Sequence, residues 1–354
     1  MARIRSLLTG NKVLLLVNGI GGIGKTTLAS HYYHRYASEY AHLIWAVISK
    51  DIDAAFAEIA VALELEFSDN ISSTEQTILA LTELDEPCLL VLDNANDPND
   101  LEASYYGSLR KLSFLHLLIT TRVPDLSCAE FLKIEHLNQE SALQLFKKFY
   151  RQHQVAEDSL LLEILQAVDY HTLTIEIIAK SLAERNRLRQ HCSIAQLKQQ
   201  LMERGVLRLN LNATVSADYK GFLKAKPEDI IASMYDLAEL GEEEKRVMYI
   251  FSFLPTKSIA LEMLEYLLPD NFAELEVAAG GVARKGWVEF ERDNSHFRIS
   301  PVVREIVLQK TEMQHRQFAF GYLSRRDTLD SSMISSKTKE GNIRRLKLSM
   351  PPDD

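Results

Sequence analysis

The feature that most constrains the fold of this chain is a glycine-rich octapeptide, Gly-Ile-Gly-Gly-Ile-Gly-Lys-Thr, at residues 19–26. It follows an apolar run, Lys12–Asn18, that predicts a strand, and it opens a stretch, Lys25–Tyr40, that predicts a helix. The octapeptide matches the pattern G-x-x-x-x-G-K-[ST], whose glycines let the backbone wrap closely around an anion. A loop of this kind between a strand and a helix predicts a phosphate-binding site.

Apolar, β-rich runs alternate with helical stretches over the first third of the chain, which is typical of a parallel sheet covered by helices on both faces. The other predicted strands are Leu43–Ser49, Cys88–Asp93, Leu115–Thr121 and Phe131–Glu135, and the other predicted helices are Ile52–Leu65 and Thr74–Leu84. We therefore expect an α/β P-loop NTPase domain with a parallel sheet over residues 1–136.

After this region the strand signal stops. Four helical runs predict an all-α helical domain over residues 137–215: Asn138–Tyr150, Asp158–Val168, Leu173–Arg185 and Ile194–Glu203. The stretch Leu207–Lys226 predicts a linker. Residues 311–354, rich in Ser, Lys and Arg, predict a partly ordered tail.

The unit over residues 228–310 combines helices with a hairpin. The predicted helices are Asp229–Leu240, Glu242–Phe253, Ala260–Leu268 and Phe272–Lys285. Two alternating runs, Trp287–Glu291 and His296–Ser300, then predict a β-hairpin. Helices followed by a hairpin are the outline of a winged-helix domain.

Composition narrows the class of protein. Only 14 glycines and 9 prolines in 354 residues favour a mostly helical chain, and a net charge of −9 disfavours a general attraction to nucleic acid or anionic membrane. Cys88, Cys128 and Cys192 lie far apart, which argues against a zinc site or a disulfide framework. The apolar run Val13–Val17 is too short to span a bilayer, and residues 1–12 lack the apolar region of a signal peptide, so we expect a cytoplasmic protein without a membrane partner.

Within the octapeptide, each residue type has a chemical role. Lys25 would supply positive charge to the β- and γ-phosphates, and the Thr26 hydroxyl would ligate Mg²⁺. The backbone around these two residues would direct its amides at the phosphates, so the predicted nucleotide-binding residues of the loop are Gly21, Gly22, Ile23, Gly24, Lys25, Thr26 and Thr27.

The strand ending at Asp93 has the form of a Walker B strand, an apolar run that ends in a carboxylate. Asp93 would lie at the carboxyl edge of the sheet and would hold the Mg²⁺ shell together with Thr26. Asn94 follows, where a hydrolytic base would often be acidic, and an amide cannot accept a proton from water. Hydrolysis is therefore expected to be slow unless Asp97 or another group replaces it, although Asp97 is more typical of a solvated turn residue.

The strand that precedes Arg122 ends in a hydroxyl and a guanidinium. Arg122 at that edge could reach the γ-phosphate and report its presence, and the alternative is pairing with a surface carboxylate. Lys25, Asp93 and Arg122 are thus the predicted catalytic residues. The histidines His31, His34, His116, His171 and His191 are scattered and are predicted to be structural or exposed.

These motifs resemble the NB-ARC branch of the STAND signal-transduction ATPases. The resemblance spans residues 10–310 and is carried by Gly-Ile-Gly-Gly-Ile-Gly-Lys-Thr-Thr-Leu-Ala (19–29), Leu-Val-Leu-Asp-Asn (90–94) and Ile-Thr-Thr-Arg (119–122). It implies a nucleotide-binding, a helical and a winged-helix domain in that order. It also implies that ADP is bound in a closed resting form and exchanged for ATP, after which the protein oligomerises and signals through an attached effector.

Two positions depart from the family pattern. The Gly-Leu-Pro-Leu motif of the helical domain aligns with Tyr170–Leu173, so Thr172 stands in place of proline and would contact the base or ribose. The Met-His-Asp motif of the winged helix aligns with Ile299–Pro301, so Ser300 replaces the histidine that contacts the ADP β-phosphate. Ser300 could donate one neutral hydrogen bond there.

The leading hypothesis is an ATP/ADP-dependent molecular switch with slow turnover. An ATP-gated winged-helix regulator that binds DNA is the alternative, but Phe272–Lys285 has only Arg284 and Lys285 as basic residues, opposed by Glu274 and Glu276. A conventional ATP-hydrolysing enzyme or kinase is a third reading, unsupported by a catalytic His, Cys or Ser arrangement.

The expected partners are an adenine nucleotide with Mg²⁺ and, on activation, further copies of the chain. The short segments before the first predicted strand and after residue 310 predict a bare switch module, a fragment or a truncated product. An effector or sensor would then be a separate protein.

Overall fold

The computed structural model of the protein describes most of the chain up to Thr311. The described residues are 1–17, 20–48, 51–64, 71–97, 109, 111–123, 130–187, 192–208, 226–232, 235–254, 256–267, 272–291 and 295–311. Most of the predicted linker, all but the first residue of the predicted tail, and His191 lie outside them.

Five parallel strands of the described residues form the central sheet, in the order β2-β3-β4-β1-β5. They are β1 (Val13–Val17), β2 (His42–Val47), β3 (Cys88–Asp93), β4 (Leu115–Thr121) and β5 (Glu130–Lys133). Every residue of β3 is buried, as its unbroken apolar sequence predicts for a strand covered on both faces. The predicted parallel α/β sheet is confirmed.

The helices beside this sheet that the described residues form are α1 (Ala2–Asn11), α2 (Lys25–Arg35), α3 (Ile52–Ala62) and α4 (Ser73–Glu83). Asp51 caps α3 by accepting a hydrogen bond from Ala54 N at 2.7 Å. Helix α1 was not predicted, although Ile4 and Leu8, four residues apart, bury one face of it. Helix α2 is shorter than predicted because the chain tightens into a 3₁₀ turn at Ala37–Glu39.

The second part of the chain is mainly helical. Its first helices are α5 (Gln139–Phe149), α6 (Asp158–Ala167), α7 (Thr172–Arg187) and α8 (Ile194–Arg204). They are followed by α9 (Pro227–Ala232), α10 (Glu242–Phe253), α11 (Leu261–Leu267), α12 (Phe272–Arg284) and α13 (Pro301–Lys310). Strands β6 (Ile259–Ala260), β7 (Glu289–Glu291) and β8 (His296–Arg298) form an antiparallel sheet in the order β6-β8-β7.

The predicted helix Asp229–Leu240 is wrong. Helix α9 ends at Ala232, and a separate 3₁₀ turn covers Leu237–Glu239. The side chain of Asp236 accepts a hydrogen bond from Ala238 N at 3.0 Å, which caps the new turn and competes with continuation of the helix.

The core of the second part is continuous. Buried apolar residues from Ala142 to Val307 form one cluster, which includes Phe146 on α5, Phe251 on α10 and Trp287. The clusters under the parallel sheet are separate from it. The helices predicted as a helical domain and the elements predicted as a winged helix therefore pack on a shared interior.

Two further sequence features have structural counterparts. Cys88 and Cys192 are buried free thiols, and Cys128 lies outside the described residues. Within the described part of the chain, no helix combines the length and apolar character that crossing a membrane requires.

Candidate functional site

The loop between β1 and α2 depends on two glycines in the left-handed region. Gly22 has φ of +75° and Gly24 has φ of +111°. A Cβ on Gly22 would come within 3.0 Å of both His171 and Leu173, whereas a Cβ on Gly24 would meet no atom within 4 Å. One side of the loop is thus packed against the second part of the protein, and the other faces open space.

Gly24 is also the N-cap of α2, and a glycine has no side chain with which to cap the helix. The first amides of a helix have no partner inside the helix, and together with the helix dipole they attract an anion. Thr26 and Thr27, in the first turn, are exposed. A ligand in the open space beside Gly24 would therefore reach the start of α2.

Lys25 is held beneath the loop, with its Nζ donating to the carbonyl oxygen of Ile20 at 3.1 Å. Burial lowers the pKa of Lys25 to about 7; the positive charge of Arg122 lowers it further, and Asp93 opposes the shift. An ammonium group with so low a pKa gains stability when an anion binds next to it. The electrostatics of the loop therefore favour a negatively charged ligand.

Asp93 connects the ends of two strands with the first turn of α2. Its Oδ1 accepts from Thr26 Oγ1 at 2.9 Å and from Thr120 Oγ1 at 2.5 Å. The structure thus brings the two predicted Mg²⁺ ligands, Thr26 and Asp93, together at the carboxyl edge of the sheet. A hydroxyl and a carboxylate are oxygen donors of the kind that Mg²⁺ binds.

Asn94 is occupied by structural hydrogen bonds. Its Nδ2 donates to the carbonyl oxygen of Ile48 at 3.1 Å, and its Oδ1 accepts from Asn96 Nδ2 at 2.7 Å. Its backbone has φ of +70°, which asparagine tolerates better than most residues. Asp97 lies exposed beyond this turn. The Asn94 amide therefore ties the end of β3 to the segment that follows β2.

Arg122 is buried rather than exposed at the surface, with 8% of its surface accessible. Its backbone N donates to Asn96 Oδ1 at 2.8 Å. Its guanidinium carbon lies 5.3 Å from the centroid of the Tyr235 ring, within the range of a cation–π contact. The role of Arg122 as a γ-phosphate sensor stays a prediction.

The start of α7 binds the carbonyl groups of the loop. His171 Nε2 lies 2.7 Å from Gly21 O, Leu173 N donates to Gly22 O at 3.1 Å, and Thr172 Oγ1 donates to Ile23 O at 2.9 Å. Thr172 therefore contacts the loop itself, and its contact with a base or ribose stays a prediction. Residues 171–173 thus donate one hydrogen bond each to the backbone carbonyl oxygens of residues 21–23.

His171 is neutral near pH 7. Burial lowers its pKa to about 4, against the raising effect of its hydrogen bond to Gly21. Because the Gly21 carbonyl can only accept, Nε2 carries the proton, and Nδ1 accepts from the Thr174 hydroxyl at 2.9 Å. His171 was predicted to be structural or exposed; it is structural, but it is also part of the site.

Tyr235 is a second site residue that the sequence did not reveal. Its hydroxyl accepts a hydrogen bond from Gly21 N at 2.8 Å, and its ring packs on Trp287 with centroids 4.9 Å apart. No motif spacing relates Tyr235 to the loop, since the two are 214 positions apart. Because Tyr235 lies in a predicted helix, the helical pattern marks this tyrosine only as a buried residue and not as part of a binding site.

A cluster of charged residues joins the β7–β8 sheet to the turn before α7. Arg298 donates to Asp169 Oδ2 at 2.8 Å and to Glu289 Oε2 at 3.2 Å, and His136 Nδ1 lies 3.2 Å from Asp169 Oδ2. Burial alone would raise the pKa of Asp169, but the hydrogen bond from His136 and the charge of Arg298 lower it. The cluster holds the turn that delivers residues 171–173 to the loop.

Ser300 lies at the beginning of α13. Its Oγ accepts from Val303 N at 3.2 Å, which makes it the N-cap of the helix, with Pro301 at the first helical position. The hydroxyl hydrogen can still donate elsewhere. The contact between Ser300 and a nucleotide stays a prediction.

Together, the parallel sheet, the glycine loop, the buried lysine and the strand-end carboxylate define a P-loop nucleotide-binding fold. The sequence profile described as "NB-ARC domain" matches residues 2–156. The chain therefore carries an NB-ARC domain in this region.

This chain spans only a small part of the length of the curated relatives that it matches. A probable disease resistance protein of Arabidopsis thaliana is 26% identical over 245 residues, which are 66% of this chain and 13% of the relative. The regulatory protein AfsR of Streptomyces griseus is 32% identical over 181 residues, which are 48% of this chain and 18% of AfsR. Among solved structures, a Walker-type ATPase of Pyrococcus abyssi covers 87% of this chain and 94% of its own, with 12% identity and a TM-score of 0.53, which is a similarity of fold.

Proposed function

We propose that the protein is a molecular switch that binds ATP and ADP. The bound nucleotide controls the contact between the glycine-rich loop and the second part of the chain. This contact in turn controls whether copies of the chain associate. The observation that carries this proposal is the two-sided loop. Its open side, at Gly24 and Lys25, suits a polyphosphate, while its other side is held by His171, Thr172 and Leu173. A ligand on one side must therefore affect the packing on the other.

The residues present fit a magnesium–nucleotide complex. Lys25, with a pKa near 7, and the uncapped start of α2 would bind the phosphates. Thr26 and Asp93 would hold Mg²⁺, which when bound neutralises charge on the phosphate oxygens. The preference for adenine over guanine is proposed from the family alone.

We expect slow hydrolysis of ATP because the residue that follows Asp93 is an asparagine. Asn94 has no basic group, and its amide is engaged with Ile48 and Asn96. A side chain in this state cannot take a proton from an attacking water. A long-lived ATP form is what a switch, rather than a metabolic enzyme, requires.

An ATP-gated, DNA-binding regulator is the second candidate. It is favoured by the β6-β8-β7 sheet with its neighbouring helices, and by the name of the relative AfsR, a regulatory protein. However, the exposed residues of α12 include Glu274, Glu276 and Val277, which do not favour a phosphate backbone. A salt-dependent gel shift with duplex DNA distinguishes this candidate from the switch.

Calorimetry with ATP and ADP in the presence of Mg²⁺ tests the proposal. We expect both nucleotides to bind, and Lys25→Ala to weaken both by at least about tenfold because a charge-assisted contact is lost. The matched control is Lys147→Ala, which removes a lysine paired with Asp158. Wild-type affinity in Lys25→Ala would contradict the proposal, and the solution mass with ADP and with ATP tests self-association.

A further inference from the structure

The hydroxyl of Tyr235 lies on the phosphate-binding loop, although Tyr235 belongs to the C-terminal elements. It accepts the hydrogen bond of Gly21 N at 2.8 Å, and Tyr235 is only 1% exposed. A buried amide that loses its acceptor is costly. In this structure the tyrosine hydroxyl is therefore the acceptor that satisfies the Gly21 amide.

The ring of the same side chain contacts Arg122, the predicted γ-phosphate sensor. The guanidinium carbon lies 5.3 Å from the ring centroid, and Arg122 is itself buried. One side chain thus engages a loop amide through its hydroxyl and a cation through its ring. A backbone amide and a guanidinium are also both groups that bind phosphate oxygens.

We propose that Tyr235 is a specificity-determining residue, which sets the preference of the site between ADP and ATP. The inference rests on the proposed nucleotide switch. The hydroxyl and ring of Tyr235 compete with the γ-phosphate for Gly21 N and Arg122, so ATP must displace Tyr235 and ADP leaves it in place. The cost of displacement applies to ATP alone, and it lowers the affinity for ATP relative to that for ADP.

Displacement of Tyr235 would be transmitted to the C-terminal elements because the residue is fixed to them. Its carbonyl oxygen accepts from Lys310 Nζ at 2.6 Å, and its hydroxyl lies 3.4 Å from the carbonyl oxygen of Gly286. Its ring packs on Trp287, with centroids 4.9 Å apart. Movement of Tyr235 therefore changes the environment of Trp287, which makes this indole a reporter of the γ-phosphate.

The substitution Tyr235→Phe keeps the ring and removes the hydroxyl. Calorimetry gives the affinities for ADP and for a non-hydrolysable ATP analogue, both with Mg²⁺. We expect the ratio of ATP-analogue to ADP affinity to rise about threefold to tenfold, the value of one hydrogen bond. The matched control is Tyr150→Phe, which loses a hydroxyl that accepts from Asn186 Nδ2 at 3.0 Å near the C-terminal end of α7, and its ratio should stay that of the wild type.

A fluorescence measurement on the protein with Tyr235 intact gives a second readout. The chain has two tryptophans, so Trp45→Phe leaves Trp287 as the sole indole. The ATP analogue should change the Trp287 emission, and ADP should leave it near that of the free protein. An unchanged affinity ratio in a folded Tyr235→Phe protein, or equal emission changes with both nucleotides, would overturn the inference while leaving the switch intact. Failure of the wild type to bind either nucleotide would instead refute both.

Discussion

The carboxylate of Glu305 lies directly against Gly205, in the space that a Cβ on this glycine would occupy. From there it accepts hydrogen bonds from Val206 N at 2.8 Å and Leu207 N at 2.7 Å. Gly205 has φ of +79°, so glycine is required both by the backbone and by the neighbouring side chain. This contact connects α13 with the end of α8.

Gly205→Ala should therefore destabilise the protein by about 1–3 kcal/mol, since it adds backbone strain and displaces Glu305. Denaturant unfolding measures the change. Gly10→Ala is the control, because a Cβ there meets nothing within 4 Å and the residue lies inside α1. That variant should be neutral or more stable, and equal destabilisation of both would contradict the role of Glu305.

Nucleotide binding should take up a proton at pH 8. The pKa of Lys25 is about 7 in the free protein, and a bound polyphosphate raises it, so Lys25 is neutral before binding and protonated after it. The affinity should fall as the pH rises from 7 to 9. Calorimetry in two buffers with different ionisation enthalpies measures the uptake, which should vanish in Lys25→Met; identical heats for the wild type in both buffers would refute it.

Asp93→Asn should remove the dependence of nucleotide affinity on Mg²⁺. The carboxylate is the charged member of the Thr26–Asp93 pair, and an amide is a much weaker ligand for a hard cation. Titrations with Mg²⁺ and with a chelator should differ for the wild type and coincide for the variant. Asp97→Asn, which changes an exposed carboxylate of the next turn, should behave as the wild type.

The Asp169–Arg298 pair should contribute a coupling of about 1–2 kcal/mol, between the values for exposed and for buried pairs. A double-mutant cycle with Asp169→Asn and Arg298→Met measures it by unfolding. The exposed pair Arg246–Glu243 is the comparison and should give at most about 0.5 kcal/mol. Equal couplings for the two pairs would contradict a structural role for the cluster.

The Asp169–Arg298 pair also predicts how the free energy of unfolding changes at acid pH. The pKa of Asp169 is lowered in the folded protein relative to its ordinary value. Its stabilising contribution is therefore present at pH values above the pKa of the unfolded chain and is lost as the pH falls through the lowered native pKa. Asp169→Asn should flatten this part of the stability profile, and an unaltered profile would show that other carboxylates cause it.

The sheet and the loop could be predicted because their signals are local. The apolar runs Cys88–Asp93 and Leu115–Thr121 coincide with β3 and β4, and the octapeptide lies at the strand–helix junction. Parallel strands then bring Asp93 to the same edge as Thr26. Helix α1 was missed because its polar residues outnumber the two buried positions that mark its inner face.

The inner half of the site could not be predicted because it depends on contacts between distant segments. Tyr235 meets Gly21 only after the C-terminal elements have packed, and no sequence pattern encodes that distance. The sequence did place His171 in the segment Tyr170–Leu173, which aligns with a family motif. Its hydrogen bond to Gly21, however, depends on the left-handed backbone at Asp169 and Tyr170. Two successive residues with positive φ are uncommon, although aspartate adopts this conformation more readily than tyrosine.

The continuous core from Ala142 to Val307 determines where the molecule can bend. Separating α5–α8 from the elements around Trp287 would open a hydrophobic interior to water, at a cost that grows with the area exposed. The stretch between Lys133 and Asn138 connects the parallel sheet to α5, and its apolar residues Ile134 and Leu137 are only partly buried. If the chain bends at this stretch, His171 and Tyr235 move together because they share one core. The hydrogen bonds of both residues with the backbone of Gly21 would then break at the same time.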